Sequence, residues 1–371
     1  MILNTADFVN YRNIKEAHFE FNSGMNIIFG KNAQGKTNVL EGIYNFSNGR
    51  SFRKTKDRDL IKFDENEASI EIKYTDSLRE NKLRIEYSKE LKKKQYINGI
   101  KETKASVFSD RFKSVLFCPE HLSIIKEDSS VRRAFIDSAI SQLRPLYSSN
   151  ISAYTKLLDE KNALLKNTEE YTKEFYDMYE VLSERIAEYS AYIMSMRSSY
   201  LTRLFGKVSE IMKEISQGKE DISYVYNCKV ISEDYNGYSK EENKKILLGI
   251  IMQNREKEIA AKSTLYGAHK DDFEIFIDGK TSKIYASQGQ QRSIALSMKL
   301  GEGSICFEET KEHPVFLFDD VLSELDRDRK EYILSELKER QVIVTSCDES
   351  DFNNIRNAKK IYASAGTFRD I

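Results

Sequence analysis

Tryptophan is absent from this 371-residue chain, and proline occurs only 3 times. So little proline excludes a proline-rich linker architecture and argues against a long disordered tail. The 4 cysteines, Cys118, Cys228, Cys306 and Cys347, form no CxxC pair, so a cysteine zinc site is not expected. Scattered His18, His121, His269 and His313 do not supply one either. A reduced, cytoplasmic protein is the simplest expectation. Excess charge of either sign is also missing: 58 Lys and Arg against 59 Asp and Glu leave a net −1. Any nucleic-acid contact must therefore come from local patches. The longest strongly apolar stretch, Ile246 to Met252, is far too short for a membrane span. Asp7 and Arg12 stand where a signal peptide would need its apolar core, so neither insertion nor secretion is expected.

What is present is length enough for two or more structural units, and 32% charged residues to solvate them. Near the start, Asn26 to Phe29 is a compact buried-strand signal that stops at Gly30. From Lys36 the pattern turns helical, with Val39, Leu40, Ile43, Tyr44 and Phe46 on one side. Between about 69 and 105 apolar and polar residues alternate, and Asn98-Gly99 marks a two-residue hairpin turn. Asp278-Gly279 marks another. The middle carries a helical seam instead: Phe175, Met178, Leu182, Ile186, Tyr189, Ile193, Met196, Tyr200 and Leu204 advance by threes and fours. Short strands return after about 265, including Val315 to Phe318 and Gln341 to Thr345. The expected organisation is an α/β unit split by a helical insertion: residues 1–120, an arm over 121–265, and 266–371.

Gly30-Lys31-Asn32-Ala33-Gln34-Gly35-Lys36-Thr37 fits G-x-x-x-x-G-K-[ST], between the strand and the helix that such a phosphate loop requires. Glycines let the backbone form an anion-binding nest at the helix N-terminus. Lys36 would reach the β- and γ-phosphates of ATP, and the Thr37 hydroxyl would bind Mg²⁺. Asn38 opens the helix beside them. A carboxylate for the metal is expected at the end of a neighbouring strand, and Asp319 and Asp320 follow four apolar residues. Asp319 would hold the metal through its water shell. Asp320 would orient or deprotonate the attacking water, or merely cap the strand end. Arg12 and Asn13 precede the first nucleotide strand, where they would approach the adenine or the phosphates. His269 is either a turn histidine or a residue near the nucleotide.

About 280 residues separate the loop from the acids, unlike small-molecule kinases and Ras-like GTPases. Ser287-Gln-Gly289-Gln290-Gln291-Arg292 opens a helix 30 residues before the acids, and Ser323-Glu-Leu-Asp326 follows them. By itself the first segment reads equally as a turn and helix cap. In this order the two look like the signature and D-loop of ABC-type ATPases, which bind ATP between two heads.

With Phe8-Val-Asn-Tyr-Arg-Asn13, Glu41, Arg50-Ser-Phe-Arg53, Phe117-Cys-Pro-Glu120, Arg132-Arg-Ala-Phe-Ile-Asp137, Lys161-Asn-Ala-Leu-Leu165 and Gly267-Ala-His-Lys-Asp-Asp272, the chain resembles the RecF family from end to end. These are DNA replication and repair ATPases related to the SMC heads. The resemblance implies an ABC/SMC-type P-loop ATPase head with an inserted α-helical arm. It implies a slow ATPase that uses ATP and Mg²⁺, dimerises on ATP and clamps DNA at gaps and single-strand/double-strand junctions. It further implies RecO and RecR as partners in loading RecA, within repair and the SOS response. Ser287, Gly289 and Gln290 would then meet the γ-phosphate held by the other copy. Two departures stand out. Cys118 replaces a more usual Ser, and the strand Gln341–Cys347 has no histidine switch, leaving Thr345, Ser346 or Asp348 to sense the γ-phosphate.

Other readings are an SMC-like tether, a transporter cassette or a metabolite kinase. The chain has no room for a long coiled coil and hinge, a cassette would lack the arm, and no phosphoacceptor site is evident. For DNA, Arg50–Lys62 and Lys89–Lys104 each hold six basic and two acidic residues, with Phe52 and Tyr96 interleaved. Each reads as a phosphate-tracking patch or a solvated face. Glu169–Glu188, with seven acids against two bases, is not a DNA surface.

Overall fold

The computed structural model of the chain describes residues 1–371 apart from 54, 104–107, 109–110, 169, 229–238, 323–324, 349–351, 353–354 and 356. It opens with strands β1 (Ile2–Tyr11), β2 (Ile14–Glu20) and β3 (Met25–Phe29), then helix α1 (Lys36–Asn48). Five strands follow: β4 (Glu67–Thr75), β5 (Glu80–Ser88), β6 (Lys94–Ile97), β7 (Ile100–Glu102) and β8 (Ser114–Phe117). Next come α2 (Ser123–Lys126), α3 (Ser129–Leu143), α4 (Pro145–Asn167), α5 (Lys173–Ile215), β9 (Ile222–Asn227), α6 (Lys240–Gln253) and α7 (Arg255–Ala261). The last part holds β10 (Asp272–Ile277), β11 (Lys280–Thr281), α8 (Ser282–Tyr285), α9 (Gln288–Thr310) and β12 (Val315–Asp319). It ends with α10 (Arg327–Glu336), β13 (Val342–Ser346), β14 (Lys359–Ser364) and β15 (Thr367–Asp370).

Packing groups these elements into two units. The first comprises Met1–Leu122, Glu210–Lys219 and Ser287–Ile371, and the second Ser123–Ser209 and Glu220–Ala286. Residues 266–286 thus pack with the second unit, and 210–219 with the first.

In the first unit an antiparallel sheet, β2-β1-β4-β5-β6-β7, faces a second sheet ordered β15-β14-β3-β13-β12-β8. Alternation sets the inward face of the first: Ile70, Ile72 and Tyr74 on β4, Leu83, Ile85 and Tyr87 on β5. The Asn98-Gly99 turn forms as expected, with φ of +50° and +84°. Helix α1 lies in the shared core, where Val39, Leu40, Ile43 and Phe46 are fully buried beside Phe8 and Ile70 of one sheet and Leu317 and Ile343 of the other. Gly42 is required there, because a Cβ would collide with the Phe8 ring. Helix α9 is buried nearly all round from Ser293 to Gly303. That explains why its apolar Ile294, Leu296, Met298 and Leu300 do not follow helical spacing.

In the second sheet β14, β3, β13, β12 and β8 are parallel neighbours, with β15 antiparallel on β14. Buried on both faces, these strands read as unbroken apolar runs. Ser346 pairs with Phe29, and Asp319 with Thr345. The C-terminal ends of β3, β13 and β12 therefore share one edge, and the phosphate loop and the paired acids lie one strand apart. Sheet pairing thus closes the 280-residue gap.

The second unit is mainly helical, with a three-stranded sheet, β11-β10-β9. The Asp278-Gly279 turn joins β10 to β11 with φ of +49° and +74°. Most of the expected α5 seam is buried, but Met178 is 52% exposed and the fully covered Tyr179 takes its place. The reason is polar: the Tyr179 hydroxyl donates to Glu258 (2.8 Å), which Lys161 neutralises at 2.7 Å. Both charges are fully buried, and Leu265 N–H saturates the other Glu258 oxygen. A second network ties α3 and α5 to the 267–272 segment. Arg197 clasps Asp137 with two bonds (2.8 and 2.9 Å) and donates to Ala268 O and Asp271. Arg132 clasps Asp272 in the same way. These landmarks are structural polar clusters within this unit. Among the described residues, no helix is long and apolar enough to cross a membrane.

Candidate functional site

The turn after β3 is built for close backbone approach. Gly30 and Gly35 have φ of +148° and +102°; a Cβ would strike Ala363 O at the first, and Asn13 Oδ1 at 2.7 Å at the second. Ala33 also holds a left-handed φ of +63°. Gly35 caps α1, so the first N–H groups of a 13-residue helix open onto the loop. Lys36 is buried, and its ammonium donates to Gly30 O (2.5 Å) and Lys31 O (3.0 Å). The loop's own carbonyls thus hold the cation where phosphate oxygens would compete for it.

Across the strand ends, Thr37 Oγ1 and Thr345 Oγ1 both donate to Asp319 Oδ1, each at 2.8 Å. Burial raises the Asp319 carboxyl above its ordinary value, and the two hydroxyls partly offset the shift. Asp320 begins the turn past β12 with a φ of +53°, its N–H bonded to Thr345 O and Oγ1. These groups border a cavity of about 350 Å³ whose walls include Asn32, Ala33, Gln34, Gly35, Lys36, Thr37 and Asn38, together with Asn13, Arg53, Asp320 and Thr345.

A hydroxyl and a carboxylate sharing one hydrogen bond suit Mg²⁺, which takes one or two protein oxygens and completes its shell with water and phosphate. Among the described residues there is no group of three or more His, Cys, Asp or Glu that could cage a metal. Thr37 and Asp319 would thus suit Mg²⁺ that arrives with a phosphate ligand.

Arg12 stands apart from the cavity. Its guanidinium grips fully buried Glu41 (2.7 and 2.9 Å) and also donates to Thr55 Oγ1 and Asp59 O. Glu41 also accepts from Ser51, and Arg53 donates to Asn38 Oδ1 at 2.9 Å. Arg12 thus braces the segment that brings Arg53 to the cavity wall. Asn13 is at the site itself, accepting from Asn38 Nδ2 at 2.8 Å.

Ser287, Gly289 and Gln290 do not border the cavity. Ser287 caps α9 in a reciprocal box: its Oγ accepts from Gln290 N (3.2 Å), and its own N–H donates to the Gln290 side chain (2.8 Å). Ser323 and Glu324 of the expected D-loop lie outside the described residues; Asp326 caps α10. His269 belongs to the second unit. Burial lowers its pKa to about 4, so the ring is neutral: Nε2–H donates to Thr264 O and Nδ1 accepts from Tyr154.

Two residues escaped the sequence reading. Arg53 entered only within a basic segment and a family landmark, with no place at the nucleotide assigned to it. Cys347 carries no motif, yet its thiol donates to Asn32 Oδ1 (2.8 Å) and its sulfur lies 3.4 Å from Asp320 Oδ2. The signal that could have found it is spacing: it lies two residues after Thr345 at the end of β13. The basic segments meet in space, since Lys93 bonds Gly49 O (2.7 Å) and pairs with Asp57 (3.4 Å), and Lys89 reaches Phe63 O.

A family model for the RecF/RecN/SMC N-terminal domain matches residues 2–369. The DNA replication and repair protein RecF of Clostridium beijerinckii is 38% identical over 359 residues, covering 97% of this chain and 95% of that protein. Among solved structures, the recombination mediator protein RecF with ATP, of the RecFOR pathway, matches with a TM-score of 0.92 at 35% identity. That match covers 100% of this chain and 97% of the other. An SMC head bound to the winged-helix domain of ScpA matches at 0.57 and 16% identity, over 100% and 97% of the two chains, and shares the fold alone. With an ABC/SMC-type ATPase head, a helical insertion and relatives matched over nearly its whole length, this chain belongs to the RecF family.

Proposed function

We propose that this protein is an ATP-dependent DNA-binding protein of recombinational repair and replication. ATP brings two copies together head to head on gapped or junction DNA, where RecO and RecR join them to assist RecA loading in the cytoplasm. The observation that carries the reading is a site in two halves. The loop, Thr37, Thr345 and Asp320 border one cavity, with Asp319 bonded to both hydroxyls, whereas the Ser287 cap does not reach it. A second copy presenting Ser287, Gly289 and Gln290 to the γ-phosphate would complete it.

Gly30 to Asn38 receive the phosphates on backbone N–H groups, and Lys36 exchanges Gly30 O and Lys31 O for β- and γ-oxygens. Thr37 and Asp319 would hold Mg²⁺, which would supply positive charge against the phosphates. Asp320 orients the water that attacks the γ-phosphorus and accepts its proton, and ADP leaves. Hydrolysis is slow and acts as a release step. DNA lies along the basic segments 50–62 and 89–104, which gives it salt-sensitive affinity. Relatives solved with ATP support the nucleotide.

The test is anisotropy of a fluorescent gapped duplex titrated with and without ATP and Mg²⁺. Binding tightened about tenfold by ATP, at two chains per DNA, is expected. Binding indifferent to ATP would overturn the clamp.

A further inference from the structure

One buried hydroxyl touches both acids of the site. Thr345 is 1% exposed and stands at the end of β13, between β3 and β12. Its Oγ1 donates to Asp319 Oδ1 at 2.8 Å and accepts the Asp320 N–H at 3.0 Å. A hydroxyl has a single hydrogen, so these directions are fixed: the proton goes to Asp319, and a lone pair faces Asp320. The Thr345 carbonyl accepts the same Asp320 N–H at 3.3 Å. Together they hold Asp320 in the left-handed region, which a residue with a Cβ rarely adopts.

Thr37 donates to the same Asp319 oxygen. A hydroxyl can turn a lone pair to a metal while its proton stays on a carboxylate, so Thr37 would become a ligand with its bond to Asp319 intact. Thr345 holds the same Asp319 oxygen, so the carboxylate that would meet the metal is bonded to the hydroxyl that holds Asp320.

We propose that Thr345 is a positioning residue that couples the metal-binding carboxylate to the water-orienting one, so that Mg²⁺ occupancy sets the placement of Asp320. This rests on the roles proposed above for Asp319 and Asp320. Of the candidates for the missing histidine switch, it makes Thr345 the one that senses the site through both acids.

The full-length protein carrying Thr345→Val, Thr345→Ser or Asp319→Asn tests it. A fluorescent ATP analogue is titrated in EDTA and across a Mg²⁺ series, and kcat and KM are measured in parallel. The valine variant should bind the analogue normally in EDTA, need about tenfold more Mg²⁺ for its metal-dependent affinity, and lose kcat about tenfold with little change in KM. Serine, which keeps the hydroxyl, should restore both. Should valine fail to fold, Thr345→Ala removes the same group. An unchanged Mg²⁺ midpoint and kcat in the hydroxyl-free variant, with Asp319→Asn shifted, overturns the role of Thr345 alone. A serine variant as impaired as valine does the same. An unshifted Asp319→Asn overturns the metal site beneath it.

Discussion

Glu41 is fully buried, and taking its charge out of water costs several kcal/mol unless it is well paired. The Arg12 fork supplies that pairing, with Ser51 assisting. Removing the fork strands the carboxylate, so Arg12→Ala should lose about 3 kcal/mol in urea denaturation. Glu41→Gln in the same background should recover part of the loss. A loss under about 1 kcal/mol would mean that Arg53, 3.9 Å from Glu41, takes over the charge. A residue type that suits nucleotide binding serves here one layer behind it, and only the fold separates these roles.

Helices α3, α4 and α5 meet the 267–272 segment through groups whose titration opposes one another. Burial lowers His269 from 6.5 to about 4, so the folded state prefers the neutral ring. Its contribution is complete above pH 6.5 and is lost as pH falls toward 4. Burial also raises Asp271 from 3.8 to about 6, offset in part by Arg197 and the Tyr226 hydroxyl. That contribution is complete below about 3.8 and is lost as pH rises through 6. In His269→Gln, which keeps a donor toward Thr264 O, the first term vanishes. Between pH 7 and 5 the variant should lose about 2 kcal/mol less stability than the parent in denaturant titrations. Equal losses would remove His269 from the acid response. Legibility also differed by element. The α1 face, both hairpin turns and the β12 and β13 strands were readable because local period and turn chemistry decide them. The β9–β10 pairing was not, since Ile222–Asn227 alternates only briefly and meets a partner 45 residues on. Nor was Tyr179, whose burial depends on Glu258 and Lys161 from other helices. The loop and acids were legible as motifs. Thr345 was one of three switch candidates that only the register of β13 set apart, and Cys347 became visible only there.

At the scale of the whole molecule, the exposed Ser287 cap is expected to act on a second copy. Ser287→Arg would place a bulky cation there while leaving the phosphate loop untouched. ATP affinity of the isolated chain should stay within about twofold, and the ATP-induced dimer should disappear in sedimentation. A normal dimer would assign the interface elsewhere.

The strand order carries a burden for biogenesis. Strand β3, Met25–Phe29, has β13 and β14 as its neighbours among the described residues, both from beyond residue 340. At roughly 5–20 residues per second, its two edges wait on the order of 20–60 s for their partners during synthesis. Throughout that interval Ile27 and Ile28 sit on an open ribbon able to pair with another nascent chain. The arrangement that draws the phosphate loop to the acids thus leaves β3 without its sheet partners until β13 and β14 have been made.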